Sequence, residues 1–199
     1  MKKILTASLS ILCLQTLPFA VNADQDQGKP LSMEQKQQLV GGAKKQIMAL
    51  GGALTATLKQ GIKADGHAAS VTLCNLQAPA ITSASSAEGG STDWTISRTS
   101  LKQRSPANTP EGWVEKVMQD FEQRKANGEA AKDIAYTEVR DGRFFLVKAI
   151  PTKAGCLACH GANVADDVKA KLAELYPNDK ATGFNVGDIR GVFVASKKL

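Results

Sequence analysis

The segment Cys156-Leu157-Ala158-Cys159-His160 restricts the structure of this chain more than any other stretch of its sequence. Its two thiols stand three positions apart, a spacing that reaches both vinyl groups on one edge of a haem. The histidine that follows directly then lies under the iron as the proximal ligand. The segment therefore predicts one haem c, attached covalently through Cys156 and Cys159 and ligated by His160.

Three alternative sites built from the same residues fit the segment less well. A structural disulfide between Cys156 and Cys159 would not need His160 beside it. A thioredoxin-like redox pair is expected where a strand opens a helix in a βαβ unit, which this sequence lacks. A zinc site needs a fourth ligand, and zinc clusters usually bring a second Cys-x-x-Cys pair. Haem attachment accounts for all three side chains at once.

The first residues have the features of a secretory signal peptide. Two lysines precede an uncharged apolar stretch over residues 4–17, and Ala23 ends a run of small or modest side chains. A membrane anchor is the rival interpretation, but the stretch is shorter than the ~20 residues that a span needs. We therefore expect residues 1–23 to be removed. The mature chain, residues 24–199, is then soluble and periplasmic or otherwise secreted, where c-type haem is attached.

Composition narrows the class of protein further. The chain has 199 residues, 43% of them hydrophobic and 22% charged, which predicts one domain and excludes a disordered chain. Four cysteines, one of them Cys13 in the leader, are too few for a disulfide scaffold. The net charge of +6 is modest and lacks interleaved aromatic residues, so it does not indicate nucleic-acid binding. With six Phe, two Tyr and two Trp, the core needs another bulky component.

The first half of the mature chain predicts helices. Apolar residues recur every three or four positions over residues 31–62, and Ser32 and Gln35 are spaced for a capping box at the start. The pair Asp65-Gly66 is expected to end this long helix.

A second apolar pattern follows, with Val71, Cys74, Ala78 and Ile81 at helical spacing. Pro79 would disturb the end of such a helix, so a strand is the alternative. Helix is favoured here. Met33 and Met48 lie in or beside the first predicted helix, and Met118 lies in the helix predicted for the second half of the sequence. All three methionines are expected to fill the core.

The second half of the sequence predicts a helix, a hairpin, a short helix and a last strand. Their residues are 110–126, 136–150, 165–176 and 189–195. Thr109 and Pro110 suit the start of the first helix, which follows a basic, irregular segment over residues 98–110. Helices on one side of a small antiparallel sheet make an α+β fold in one domain.

The second axial ligand of the iron is open on the residues alone. The candidates outside the attachment segment are His67, Cys74 and the methionines Met33, Met48 and Met118. Each methionine suits a core position, and a lone cysteine is most often a small buried residue. Spacing does not choose among them.

Four segments resemble a family of secreted single-haem c-type proteins with a PAS-like fold, the Tll-like haem-binding domain. They are Val71–Pro79, Arg98–Pro110, Cys156–Gly161 and Tyr176–Gly191, and they follow one another in the family's order. The resemblance extends from about Leu31 to Ala195. Ser105 departs from it, because we expect Asn before the proline, and this leaves the local hydrogen bonding open.

The resemblance implies that His160 and Cys74 are the two axial ligands. It also implies a central antiparallel sheet flanked by helices, with the haem supplying the missing bulk of the core. Arg98 and Arg104 are candidates for binding the haem propionates, because a guanidinium matches a carboxylate with two parallel hydrogen bonds. Both arginines would serve equally well as ordinary solvated surface residues.

Three functions are compatible with these expectations. The first is an electron carrier with a redox protein as its partner, and the second is a redox or gas sensor that signals through a separate partner. A PAS-like fold favours sensing by analogy alone. The third is a haem enzyme such as a peroxidase, which needs an open iron position that Cys74 would close. We therefore expect an electron carrier and no enzyme.

Overall fold

Four helices and four strands build the part of the chain that the computed structural model describes, residues 30–86 and 93–199. The predicted signal peptide lies outside these residues. The helices are α1 (Met33–Ala84), α2 (Gly112–Ala126), α3 (Leu157–His160) and α4 (Asp166–Leu175). The strands are β1 (Trp94–Thr99), β2 (Ala135–Arg140), β3 (Arg143–Pro151) and β4 (Ile189–Lys198). Leu31–Leu199 form one compact unit.

The four strands form one antiparallel sheet in the order β1-β4-β3-β2. Strands β2 and β3 are the predicted hairpin, closed by Asp141 and Gly142 with φ of 50° and 67°. Positive φ at both turn residues gives the backbone twist that fits the twist of paired strands. The predicted α+β class, a small antiparallel sheet flanked by helices with a long helix at the start, is confirmed.

Both faces of the sheet are covered, which differs from the one-sided packing expected from the sequence. Side chains alternate between the faces along a strand. Phe144 and Leu146 of β3 pack with the first part of α1, whereas Val147 and Ala149 pack with α2. The sheet is therefore the middle layer between two helices.

Helix α1 begins as predicted and then bends. Ser32 and Gln35 form both hydrogen bonds of a capping box. At Gly66 the backbone leaves the helical region, with φ of 78°, and resumes helical geometry directly afterwards. The bend brings Leu73 so close to Gly61 that a Cβ on Gly61 would lie 2.4 Å from Leu73 Cδ2. The predicted helix end is thus a kink, and the helix favoured for residues 71–81 is confirmed.

Other boundaries differ from the expectation. Strand β1 includes Arg98 and Thr99, which were expected in an irregular segment. The strand was not predicted because it has only two buried apolar residues, too few to form a recognisable pattern in the sequence. Helix α2 begins at Gly112, with Glu111 at its N-cap, and not at the predicted Thr109 and Pro110. The hydroxyl of Thr109 instead donates to the carbonyl of Pro106.

The methionines of α1 do not fill the core as expected. Met33 and Met48 are each 75% exposed, because the two residues lie off the apolar stripe that faces the sheet. Met118 of α2 is buried between that helix and the sheet. A bilayer-spanning stretch is absent from the helices of the described residues.

Candidate functional site

The predicted attachment segment forms a tight helical turn directly after β3. Cys156 ends a short 3-10 helix, Ala154–Cys156, and Cys159 and His160 lie in the single turn of α3. The backbone N–H of Lys153 lies 3.4 Å from Cys156 Sγ. All three thiols of the described chain, Cys74, Cys156 and Cys159, are free. The turn therefore presents both thiols unpaired, three positions apart on one short segment.

His160 is held in one orientation and one protonation state. Its Nδ1 lies 2.7 Å from the carbonyl oxygen of Ala181. A carbonyl can only accept, so Nδ1 carries the proton and donates, which leaves the lone pair on Nε2. Burial, with the positive charges of Arg190 and Arg104, lowers the pKa of His160 to about 3 and keeps the ring neutral. A neutral imidazole with a free Nε2 is the form that binds a metal.

Arg104 contacts both the attachment turn and the loop that orients His160. Its Nη2 donates to the carbonyl of Cys159 at 2.6 Å, and its guanidinium pairs with the carboxylate of Asp179 at 3.0 Å. The other oxygen of Asp179 accepts from the backbone N–H of Ala181 at 2.8 Å. Arg104 thus connects the attachment turn to the carbonyl that orients His160, and both members of its ion pair are largely buried.

Cys74 lies close to the attachment turn, on the part of α1 that follows the kink. Burial raises the pKa of the Cys74 thiol, against the opposing charges of Arg104 and Arg98. Burial likewise raises the pKa of the Cys159 thiol. The charge of Arg104 lowers this pKa, and the charge of Cys74 raises it. The thiol of Cys74 therefore shares its surroundings with the attachment turn.

The four segments that carry the family resemblance converge at this place. Cys74 comes from the first, Arg104 from the second, Cys159 from the third and Tyr176 from the fourth. Arg104 lies 5.9 Å from the centroid of the Tyr176 ring, and Cys159 and Tyr176 pack on the apolar cluster around Val71. Ser105 accepts from the N–H of Ala107 at 3.4 Å and caps a short 3-10 helix.

The remaining candidates for the second axial position are placed differently. His67 follows the kink in α1 and lines a cleft of about 230 Å³ with Ala158 and Val168. Met33 and Met48 are largely exposed, and Met118 is enclosed by the core between α2 and the sheet. Cys74 and His67 are therefore the two candidates that lie beside the attachment segment.

Arg98 and Arg190 add two further guanidinium groups to the cluster. Arg98 donates to Thr82 Oγ1 at 3.4 Å, and Arg190 donates to Ser100 Oγ at 3.1 Å. The Nε atoms of both arginines are buried without a hydrogen-bond partner in the described structure. Arg98 was a candidate from the sequence, whereas Arg190 was missed. The one feature that could have indicated Arg190 is its charge, since it stands in the otherwise apolar start of β4.

Asp179 and Ala181 were also missed as site residues. Ala181 acts through its backbone carbonyl, which the residue type does not reveal, and Asp179 lies in a polar loop with several similar residues. Their segment, Tyr176–Gly191, was singled out as a whole. The roles of the two residues within it depend on how the loop folds back over α3.

The donor set of this cluster fits a haem. It offers two unpaired thiols, a histidine with a free Nε2, a further sulfur on α1 and two half-buried arginines whose Nε–H groups are enclosed and unpartnered. Across residues 30–86 and 93–199, no group of three His, Cys, Asp or Glu side chains is arranged to hold a bare metal ion. The thiols, the histidine and the enclosed guanidinium N–H groups together suit a flat, anionic macrocycle.

The similarity of the chain to known protein families identifies the family to which it belongs. A family model described as Tll0287-like matches residues 22–197. The chain belongs to the Tll0287-like family. The resemblance noted in the sequence is thereby confirmed, since the match covers nearly all of the described residues.

A solved structure has the same fold as this Tll0287-like chain. It is the crystal structure of the cyanobacterial heme-protein Tll0287, with a TM-score of 0.54 and 22% identical residues. The similarity covers 84% of this chain and 97% of that one. Among proteins with a curated description, none matches the chain.

Proposed function

We propose that this protein is an exported electron carrier with one covalently bound haem c. Cys156 and Cys159 form the two thioether bonds, His160 is the proximal ligand and Cys74 is the distal ligand. Membership of the Tll0287-like family and a heme-protein of the same fold support haem binding. The features of residues 1–23 support export.

The observation that carries this proposal is the hydrogen bond from His160 Nδ1 to Ala181. It leaves Nε2 unprotonated on a residue that directly follows two unpaired thiols. A histidine in a disulfide turn would not need this orientation, whereas an iron ligand requires it, because the second ring nitrogen sets the direction of the first.

The side chains of the cluster favour electron transfer over catalysis. A bound haem supplies reversible one-electron exchange. With Cys74 as its second ligand, a bound haem would have no open position for a substrate. Arg104 donates to the Cys159 and Ala181 carbonyls, so that His160 would need to move little when the charge changes. A site that changes little between two charge states exchanges electrons with a small reorganisation cost.

Covalent attachment is tested by extraction. The full chain, produced with c-type maturation proteins and an export signal, should keep its haem in acidified acetone. The Cys156→Ala/Cys159→Ala variant should release all haem that it contains, because no thioether bond remains. Cys74→Ala is the matched control and should retain covalent haem. Release of haem from the unaltered protein would contradict the proposal.

A redox or gas sensor acting through a partner protein is the second candidate. It is favoured by the position of Cys74 on the part of α1 beyond the Gly66 kink, so that release of the sulfur would free that part of the helix. Carbon monoxide binding to the reduced protein, with a change in the exchange of α1 amide hydrogens, would support the sensor. An unchanged ligand set in both redox states would support the carrier.

A further inference from the structure

Arg98 and Arg190 are charged groups that the protein buries without a counter-charge. Each is half-buried, and the Nε atom of each is fully enclosed with no hydrogen-bond partner among the described residues. An unpaired buried N–H destabilises the folded protein, and more strongly when the group is charged. Two such atoms in one cluster, both on cationic side chains, would be satisfied by an anion.

The charges of the cluster can be counted. Its guanidinium cations are Arg98, Arg104 and Arg190, and the ammonium of Lys102 lies 5.1 Å from the centroid of the Phe184 ring at its border. Asp179 is the carboxylate that pairs with Arg104 at 3.0 Å. Within the described part of the chain, no ion pair includes Arg98 or Arg190. Arg98 and Arg190 therefore lack an ion-pair partner of their own. Burial, with the charge of Arg104 and against the charge of Asp179, lowers the pKa of Arg190 to about 10.

The two arginines border the proposed ligands. Arg190 lies 5.3 Å from the centroid of the Phe184 ring, and that ring stands edge-on to the imidazole of His160 with centroids 6.4 Å apart. Arg98 is close enough to Cys74 for each charge to shift the pKa of the other. The excess charge thus lies beside both proposed axial ligands.

Arg104 is different, because its guanidinium already has a carboxylate partner in the protein, Asp179. Its Nε and Nη2 donate to Asp179 and to the Cys159 and Ala181 carbonyls. A second carboxylate would have to compete with Asp179 for the same fork. Arg104 is therefore suited to holding the attachment turn in place.

We propose that Arg98 and Arg190 bind the two propionate carboxylates of the haem, and that Arg104 is a positioning residue for His160. The inference rests on the proposed function, because it requires one haem in the cluster. Two ionised propionates supply two negative charges, which balance the excess that Arg98 and Arg190 leave. The fork geometry of a guanidinium accounts for the choice of arginine at both positions.

Resonance Raman spectroscopy of the holoprotein tests this assignment through the propionate bending bands. Loss of a hydrogen bond to a propionate should move a band to lower wavenumber in Arg98→Gln and in Arg190→Gln. The reduction potential of both variants should fall, because a lost positive charge favours the oxidised haem. Arg190→Lys should keep the potential of the unaltered protein while its band still shifts, since lysine retains the charge without the fork.

Arg140→Gln is the matched control, because Arg140 pairs with Glu138 on the opposite edge strand, β2, and should change neither property. Arg104→Gln should leave the propionate bands in place and instead change the g values of the low-spin ferric EPR spectrum, because His160 would be less firmly oriented. Unmoved propionate bands in Arg98→Gln and Arg190→Gln, or a band that moves with Arg104→Gln, would overturn the assignment. A free anion held by the two arginines would give the first of these results. Loss of haem from the unaltered protein in acidified acetone would refute the proposed function instead.

Discussion

At the scale of single residues, the second axial ligand depends on the contrast between Cys74 and His67. Both lie on the part of α1 that follows the kink. Cys74 shares its surroundings with Cys159, Arg98 and Arg104, whereas His67 lines a cleft beside Ala158. The nearby guanidinium groups of Arg98 and Arg104 would stabilise an anionic thiolate ligand at Cys74, against the burial that raises the pKa of this thiol.

The ferric absorption spectrum should separate the two candidates. Cys74→Ala should convert the low-spin spectrum to a high-spin one, and His67→Ala should leave it unchanged. Cys74→Met should raise the reduction potential, because thiolate stabilises ferric iron more than a neutral thioether does. Each 1.4 kcal/mol of that difference corresponds to ~60 mV for one electron. A low-spin spectrum that survives in Cys74→Ala but is lost in His67→Ala would identify His67 as the ligand.

At the scale of secondary structure, the kink in α1 is the element that places Cys74. Gly66 adopts φ of 78°, a region that glycine enters at little cost and residues with a Cβ avoid. Leu73 then packs on Gly61. After the kink, Ser70 Oγ donates to the Gly66 carbonyl at 2.7 Å and so stabilises the bend. A straight helix would carry Cys74 away from the attachment turn.

Two glycine substitutions in α1 should therefore have opposite effects on stability. Gly66→Ala should lower the free energy of unfolding by about 1–3 kcal/mol, because φ of 78° with ψ of −174° is a conformation essentially restricted to glycine. Gly41→Ala should raise it by about 0.5–1 kcal/mol, since Gly41 is helical with no neighbour within 4 Å of an added Cβ. Urea denaturation of both holoproteins measures the changes. Equal effects of the two substitutions would show that the kink carries no strain.

At the scale of the whole molecule, the apolar interior formed by residues 30–86 and 93–199 is divided into three clusters. Two of them enclose the sheet, one under α2 and one under the first part of α1, and each contains large buried side chains such as Phe121 and Phe144. The third joins α4 to the second part of α1 and has four small or medium buried residues, Val71, Val164, Val168 and Leu172. The proposed haem lies against this smallest cluster.

Removal of the haem should therefore loosen one part of the molecule. In the Cys156→Ala/Cys159→Ala variant, amide hydrogens of residues 67–84 and 157–175 should exchange faster than in the holoprotein. Those of β3 and β4 should keep their protection, because both faces of the sheet remain covered. Hydrogen exchange followed by mass spectrometry reports both regions in one experiment. An equal loss of protection across the sheet would show that the haem supports the entire fold.

Local sequence patterns determined most of the secondary structure and the attachment turn. The capping box at Ser32, the turn at Asp141 and the spacing of Cys156, Cys159 and His160 are each defined by neighbours within a few residues. Such features follow from backbone geometry and helix periodicity, so they can be predicted without knowing the rest of the fold. The short edge strand β1 was missed because its stability comes from pairing with β4.

Only the tertiary structure decided how distant residues share the site. Arg104 meets Asp179, and His160 meets the carbonyl of Ala181, because the loop before β4 folds back over α3. No local pattern encodes these contacts, since they join residues far apart in the chain whose types are common on any surface. The sequence by itself determined which residues are spaced to attach a haem. The folded chain decided which arginine is paired with a carboxylate, and which ones retain a charge for an anion to balance.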